Sequence, residues 1–152
     1  MVCRTLENSR AGATTPLEAR VGRGFVQTAG TRMQKPSLVS IVEDDQFFRE
    51  SMKRLMRSQG YNVETFASAA DFLASPRLLE TACLIADVHM PAMTGIELYK
   101  KLIEAGYTIP TILVTAYPND ADRDRALKDG VVCYLRKPVD DEHLIRCLRV
   151  AL

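Results

Sequence analysis

The chain has 152 residues, 47% of them hydrophobic and 26% charged, and its formal net charge is +1. This length suits one ordinary domain, and the balanced charge excludes both a disordered acidic chain and a uniformly basic nucleic-acid binder. No apolar run approaches the roughly 18 to 20 residues of a membrane-spanning helix, so the composition predicts a globular protein without a membrane span.

The first part of the chain differs in charge from the rest. Residues 1–37 carry six basic and two acidic groups, whereas the other 115 residues carry 14 basic and 17 acidic groups. Residues 1–36 form a basic arm without sustained strand or helix periodicity, so we expect this arm to be disordered. An organelle transit peptide and a nucleic-acid-binding arm remain alternatives. Met33 is a second candidate for the translation start beside Met1, and we expect residues 1–32 to be dispensable.

From residue 38 onward, short apolar segments alternate with segments of helical periodicity. The predicted strands are residues 38–42, 61–66, 83–86, 111–115 and 132–135. The predicted helices are residues 46–59, a short one capped by Ser68, then residues 96–105, 121–129 and 140–152. Strict alternation of strand and helix predicts an α/β, doubly wound fold with a five-stranded parallel sheet covered on both faces. We interpret Phe47, Phe48 and Phe72 as packing residues of these helices.

The cysteines and histidines exclude several kinds of site. The four cysteines are Cys3, Cys83, Cys133 and Cys147. They lie far apart without a CxxC pair, which argues against a zinc site and a disulfide framework, so we expect reduced thiols. The chain has only two histidines, too few for a His-rich metal site and hard to reconcile with a Ser-His-Asp triad.

Polar residues end or directly follow four of the five predicted strands, at the edge where ligands bind in open parallel sheets. In chain order they are Glu43, Asp44, Asp45, Asp87, Thr115, Arg136 and Lys137. Carboxylates roughly 4 Å apart repel each other by about 4 kcal/mol at an effective dielectric of about 20, so such a cluster needs a cation. Oxygen ligands alone favour Mg²⁺. Asp87 is best placed to attack a phosphoryl group, with Lys137 and Thr115 contacting the phosphoryl oxygens.

Four short segments carry a family resemblance. IVEDD at 41–45, DVHMPAMTG at 87–95, VTA at 114–116 and YLRKP at 134–138 resemble the signatures of bacterial response-regulator receiver domains. The resemblance covers residues 37–152 and is greatest to receivers that precede LuxR-type output domains. It implies a flavodoxin-like (βα)5 receiver fold and a phosphoacceptor function in a two-component phosphorelay.

The resemblance also implies roles for individual residues. Asp87 would be phosphorylated, and Mg²⁺ would be bound by Glu43, Asp44, Asp87 and the main-chain carbonyl of His89. The residues implied to contact the phosphoryl group or to switch with it are Thr115, Ala116, Tyr134 and Lys137. The residues implied to shape the surrounding loops are Pro91, Gly95 and Pro138, the last through a cis Lys137–Pro138 bond. Glu43 departs mildly from the family, in which Asp is commoner at this position.

The expected function is signalling through protein association rather than turnover of an external substrate. We expect a cytoplasmic protein with a sensor histidine kinase or phosphotransfer protein as phosphodonor. We expect no DNA binding by residues 37–152, and a phosphorylation-dependent homodimer or partner contact through the surface between Ala121 and Leu152. Tyr134 is alternatively a plain core residue.

Two other functions compete with this prediction. An aspartyl phosphatase of the haloacid-dehalogenase type needs a carboxylate two residues after its nucleophile, where this chain has His89. A receiver-like scaffold that is never phosphorylated would lack part of the acidic pair, Asp87 or Lys137, all of which are present. Each polar residue taken singly also has an ordinary explanation, such as acidic residues that favour a helix N-terminus.

Overall fold

The computed structural model describes residues 36–152, and the basic arm predicted for residues 1–36 lies outside them except for its last residue. The strands are β1 (Leu38–Val42), β2 (Asn62–Phe66), β3 (Thr81–Asp87), β4 (Thr111–Thr115) and β5 (Cys133–Arg136). The helices are α1 (Gln46–Ser58), α2 (Ala69–Leu73), α3 (Gly95–Glu104), α4 (Asp120–Lys128) and α5 (Asp141–Ala151). A 3-10 turn at Leu78–Glu80 precedes β3. The predicted alternation of strands and helices is therefore confirmed.

The five described strands form one parallel sheet in the order β2-β1-β3-β4-β5. This is the strand order of the flavodoxin-like doubly wound fold. In this fold β2 is added on one side of β1 and the later strands on the other side, so that the topological switch point lies between β1 and β3. The predicted fold class is confirmed. The switch of direction leaves a crevice at the carboxyl ends of β1 and β3, where the acidic residues of the sequence lie.

Alternate residues along the central strands supply two separate cores. On one face, α1 and α5 pack over a core that includes Val39, Ile85 and Val114. On the other face, α2, α3 and α4 pack over a core that includes Leu84 and Leu113. Successive side chains of a strand point to opposite faces of the sheet, and helices cover both faces. Both faces of β1, β3 and β4 are therefore buried, which explains the near-continuous apolar sequences of these strands.

Helix starts are marked by polar caps, and the cap of α1 positions the candidate site. The Asp45 carboxylate accepts hydrogen bonds from the backbone N–H groups of Phe47 (2.9 Å) and Phe48 (3.4 Å). An Asp at this position satisfies backbone donors that have no partner within the helix. The cap holds the first turn of α1 directly after Glu43 and Asp44.

Two details of the sequence prediction differ from the structure. The third strand begins at Thr81 rather than Cys83, because Thr81 and Ala82 carry little apolar signal while the Thr81 hydroxyl lies 2.7 Å from that of Ser40 on β1. Phe47 is not a packing residue, since it is 89% exposed. Phe47 lies five residues before Met52 and nine before Met56, which places it on the side of α1 opposite to these buried residues, since a helix has about 3.6 residues per turn.

The prediction of four reduced thiols is wrong for two cysteines. The structure pairs Cys133 of β5 with Cys147 of α5 as a disulfide, with their Cα atoms 6.3 Å apart. The two residues are 14 positions apart in sequence, and only the packing of α5 back onto the sheet brings them together. Cys83 remains a buried free thiol, and Cys3 lies outside the described residues.

The longest helix among residues 36–152 has 13 residues, and none of those helices is long and apolar enough to cross a membrane.

Candidate functional site

Three carboxylates meet in the crevice at the carboxyl end of the sheet. Glu43 and Asp44 directly follow β1, and Asp87 is the last residue of β3. Each of the three offers an oxygen within 4.8 Å of the others. Glu43 and Asp87 are buried, whereas Asp44 is exposed. The parallel register of β1 and β3 places these strand ends side by side, so the predicted cluster forms.

One ammonium group bridges the two buried carboxylates. Lys137 Nζ lies 2.7 Å from Glu43 Oε1 and 3.3 Å from Asp87 Oδ1. Its side chain is only 18% exposed, so water screens these ion pairs weakly. The backbone N–H of Lys137 donates to the carbonyl oxygen of Thr115 at 2.8 Å, which ties the segment after β5 to the end of β4. Lys137 therefore lies where the sequence predicts it.

Burial and charge shift the protonation equilibria of this cluster. Burial raises the pKa of Glu43 to about 7, although hydrogen bonds from Lys137 and from the backbone of Asp45 act in the opposite direction. Burial likewise raises the pKa of Asp87, against the nearby positive charge of Lys137. Burial lowers the pKa of Lys137, but its bond to Glu43 and the negative charges of Glu43 and Asp87 outweigh this effect and raise it. The raised pKa values of Glu43 and Asp87 mean that a further cation bound beside them would favour the ionised form of both carboxylates.

The donors of this cluster fit a hard divalent cation. All three side chains offer carboxylate oxygens, and Asp44 is open to solvent, from which an ion would enter. Hard cations prefer oxygen ligands and, when small, retain several waters. The acidic cluster could therefore hold a metal ion.

The loop after β3 is shaped by a glycine that approaches the strand closely. The backbone N–H of Gly95 donates to the carbonyl oxygen of Val88 at 3.0 Å. A Cβ atom added at Gly95 would overlap the backbone carbonyl oxygen of Asp87. Within the same loop, the Met93 N–H donates to the Pro91 carbonyl oxygen at 2.8 Å. Pro91 thus lies in this loop, and Gly95 directly follows it as the first residue of α3.

Replacing Gly95 with Ala is expected to destabilise the protein by about 1 to 3 kcal/mol, because the new methyl group meets backbone rather than a mobile side chain. Chemical denaturation measures the loss. Gly106→Ala is the comparison, since a Cβ there meets nothing within 4 Å and adds only backbone strain at a φ of +88°. An unfolding free energy of Gly95→Ala equal to that of the parent would contradict the close approach.

Thr115 and Tyr134 lie on neighbouring strands, in different surroundings. Thr115 is fully buried at the end of β4, and its hydroxyl oxygen accepts a hydrogen bond from the Tyr117 backbone N–H at 3.0 Å. The Tyr134 hydroxyl is buried without a hydrogen-bond partner among residues 36–152. Its ring borders a cavity beside Asn119 and Arg123 at the start of α4. Burial raises the pKa of Tyr134, although the nearby backbone of Asn119 acts in the opposite direction.

The remaining predicted residues lie around the same crevice. Ala116 is exposed directly after β4, and His89 is exposed two residues after Asp87. The His89 ring contacts that of Tyr117, with centroids 5.6 Å apart. The Lys137–Pro138 peptide bond is cis, as the resemblance implies.

Two contacts of the site were not predicted. Arg49 Nη1 donates to the Glu43 carbonyl oxygen at 2.7 Å and holds the segment between β1 and α1. The Phe48 ring lies against Lys137, with Nζ 4.4 Å from the ring centroid. Helical spacing identifies both residues only as members of α1, so the sequence carries no distinct signal for either contact.

Known proteins are similar to this chain in sequence. The sequence model of the response regulator receiver domain matches residues 39–149. The response regulator protein TmoT of Ectopseudomonas mendocina is 37% identical over 116 residues, which cover 76% of this chain and 53% of that protein. TodT of Pseudomonas putida is 36% identical over 118 residues, which cover 78% and 52%. The chain thus spans about half the length of these curated relatives.

Solved structures agree with the sequence comparison. The response regulator StyR superposes with a TM-score of 0.71 and 38% identity, covering 78% of this chain and 60% of that chain. The chemotaxis protein CheY4 of Vibrio cholerae superposes with a TM-score of 0.69 and 28% identity, covering 77% and 99%. Receiver domains act in two-component systems by phosphorylation-based signalling and are generally not metabolic enzymes. With its family signatures, sheet order and acidic crevice, this chain belongs to the response regulator receiver domain family.

Proposed function

We propose that Asp87 is the phosphoacceptor of this chain and that its phosphorylation depends on Mg²⁺. The observation that carries the proposal is the juxtaposition of Asp87 with two further carboxylates within 4.8 Å and with the Lys137 ammonium at 3.3 Å. Phosphoryl transfer requires chiefly positioning and neutralisation of charge, and both are supplied here. The chain then works as a phosphorelay module in the cytoplasm.

The reaction assigns a task to each group in the crevice. An Asp87 carboxylate oxygen attacks the phosphorus atom of the donor, and the bond from phosphorus to the leaving group breaks with its electron pair on that group. Bound Mg²⁺ would neutralise charge on the transferring oxygens, held by Glu43, Asp44, Asp87 and the His89 main-chain carbonyl. Lys137 pairs with a second phosphoryl oxygen. The Thr115 hydroxyl and the Ala116 backbone N–H donate to a third.

Phosphorylation then shifts a pre-existing equilibrium between two packings. The Thr115 hydroxyl exchanges its bond from the Tyr117 N–H for one to the phosphoryl group, and the Tyr134 ring moves with it. Two observations support this switch. No hydrogen bond within residues 36–152 holds the Tyr134 hydroxyl in place. The cavity beside the Tyr134 ring leaves room for a second position of the ring. Such a switch changes populations rather than the fold.

We extend the proposal to partners. A sensor histidine kinase or a phosphotransfer protein supplies the phosphoryl group, and the surface of α4, β5 and α5 carries the output. That surface presents the alternating charges of α4 together with the exposed apolar side chain of Val150. Mixed charge of this kind suits a polar, regulated interface with a second copy or a partner protein.

Self-association through this surface is expected to increase in the activated state. Sedimentation velocity compares the protein with Mg²⁺ alone and with Mg²⁺ and beryllofluoride, a phosphoryl mimic. Arg125→Glu reverses one charge on α4 and is expected to weaken the activated dimer, whereas Lys53→Glu on α1 leaves it unchanged. Unchanged sedimentation on activation, together with no phosphorylation-dependent partner in pull-downs, would contradict the output surface.

The pH dependence of Mg²⁺ binding follows from the pKa of Glu43. Because this pKa is about 7, the group is mostly protonated at pH 6 and mostly ionised at pH 8, and a metal ligand must be ionised. Mg²⁺ affinity is therefore expected to fall about tenfold from pH 8 to pH 6, since one proton must leave. Calorimetry measures the affinity and the released proton. Glu43→Gln is expected to bind more weakly without this pH dependence, and an equal pH slope in Glu43→Gln would refute the assignment.

Incubation with acetyl phosphate tests the phosphoacceptor function itself. Intact-mass measurement is expected to show one added phosphoryl group with Mg²⁺ present and none after chelation with EDTA. An acyl phosphate is cleaved by hydroxylamine, which separates it from a phosphate ester. Uptake that survives EDTA or resists hydroxylamine would overturn the proposal.

A further inference from the structure

Two adjacent phenylalanines in the first turn of α1 lie in different surroundings. Phe47 is 89% exposed. Phe48 is half-buried, packs at the margin of the core beneath α1 and α5, and lies against Lys137. The Lys137 Nζ atom is 4.4 Å from the centroid of the Phe48 ring. The ring thus contacts the same ammonium group that bridges Glu43 and Asp87.

We propose that Phe48 is a positioning residue for phosphorylation, because its ring holds the Lys137 ammonium at Asp87. The inference rests on the proposed role of Asp87 as phosphoacceptor. An ammonium within about 6 Å of an aromatic centroid is attracted by the negative face of the ring, and the attraction grows when the cation is shielded from water. The Lys137 side chain is 82% shielded from solvent, so this condition is met.

The ring differs in kind from the other partners of the ammonium. Glu43 and Asp87 hold Lys137 through ion pairs, and both belong to the acidic cluster suited to a metal ion. Asp87 also changes its charge and shape when it accepts a phosphoryl group. Phe48 has no such second task. Its attraction for the ammonium persists while the carboxylates exchange partners, which keeps Lys137 directed at the phosphoryl oxygens.

Local structure fixes the ring where this role needs it. The Phe48 backbone N–H donates to the Asp45 cap, so the residue lies on the first turn of α1. Arg49, the next residue, donates from Nη1 to the Glu43 carbonyl oxygen at 2.7 Å and joins this turn to the acidic segment. Displacement of the ring is thereby restricted. A leucine at position 48 would keep an apolar side chain there but would offer the ammonium no negative face.

The test uses a series of substitutions at position 48 with the same series at position 47 as the matched control. Fluorination of phenylalanine weakens the negative face of the ring with little change in size, so mono-, di- and trifluorinated phenylalanine at position 48 grade the attraction alone. We expect the rate of phosphorylation by acetyl phosphate to fall stepwise along this series and to fall about three- to tenfold in Phe48→Leu. Phe48→Tyr restores the ring face and is expected to restore the rate.

A second measurement reports the contact without any phosphorylation. The ε-methylene protons of Lys137 lie next to Nζ and are expected to show an upfield ring-current shift in the NMR spectrum of the metal-free protein. The shift disappears in Phe48→Leu and persists in Phe47→Leu. Thermal unfolding of every variant is recorded beside these readouts, since a loss of packing alone would lower the melting temperature without a graded response to fluorination.

The possible outcomes separate this inference from the function on which it rests. Equal rates along the fluorinated series at position 48, or equal slopes at positions 47 and 48, would refute the positioning role even when Asp87 is phosphorylated normally. If the parent itself takes up no phosphoryl group, the proposed function fails and the positioning role falls with it. In that case the Lys137 proton shifts still decide whether the ring contact exists. A stepwise fall at position 48 alone supports the inference.

Discussion

Asp87→Asn is expected to take up no phosphoryl group from acetyl phosphate under conditions in which the parent is fully labelled. The amide keeps the shape of the carboxylate and can still accept a hydrogen bond, but it has no ionised oxygen with which to attack phosphorus. It also removes one negative charge from the acidic cluster and one ion pair from Lys137. Intact-mass measurement of both proteins with Mg²⁺ present decides the result.

Asp45, which follows Asp44 in sequence but is not part of the acidic cluster, offers a control for this substitution. Asp45 lies two residues after Glu43 and caps α1 through the backbone N–H groups of Phe47 and Phe48. Because Asn caps helices about as well as Asp, Asp45→Asn is expected to keep both the fold and the labelling. Equal labelling of Asp87→Asn and the parent would show that the phosphoryl group is carried elsewhere.

Asp44→Ala is expected to abolish phosphoryl uptake at ordinary Mg²⁺ concentrations. Loss of a group that only supports a metal ligand costs about 10- to 100-fold in affinity, so the loss of a direct ligand is expected to cost at least as much. Asp44 is exposed, and its removal leaves the buried pair of Glu43 and Lys137 in place, so the fold should be retained. Calorimetric titration with Mg²⁺ and circular dichroism check the two expectations together.

Lys137→Ala, unlike Asp44→Ala, is expected to retain Mg²⁺ binding. Its ammonium neutralises Glu43 and Asp87 in the metal-free protein and therefore competes with Mg²⁺ for the same carboxylates. We expect this variant to bind Mg²⁺ and to lose mainly the conformation of the phosphorylated state. NMR spectra with and without beryllofluoride measure that change. Mg²⁺ affinities that fall equally in Asp44→Ala and Lys137→Ala would contradict the division of tasks between ligand and counter-ion.

Strong apolar segments made most of the sheet predictable. The first and fourth strands match their predicted bounds at residues 38–42 and 111–115, because all five residues of each are buried. Prediction was less accurate where polar or small residues continue an element, as at Thr81 and Ala82 in β3. The 3-10 turn at Leu78–Glu80 has too few residues to carry a periodicity, and it was not predicted.

The acidic crevice was predictable for a topological reason. In a parallel sheet all strands end at the same edge, so residues that directly follow the strands become neighbours whatever the distance between them in sequence. Glu43 and Lys137 are 94 positions apart, yet their charged atoms lie 2.7 Å from each other. The order of the strands and the identity of the residues that follow them are therefore enough to predict which charged groups lie together in the crevice.

Contacts between a helix and the sheet depend on rotation and packing that periodicity does not specify. Helical spacing places Phe48 on the buried side of α1 and Phe47 on the opposite side, but it does not specify that the Phe48 ring lies against Lys137. The pairing of Cys133 with Cys147 likewise depends on how α5 lies against β5. Alternation of apolar and polar residues determines which elements form and at which edge their ends meet. The partner of an individual side chain across two packed layers is decided only when those layers come together, because that choice depends on differences of a few ångströms in packing.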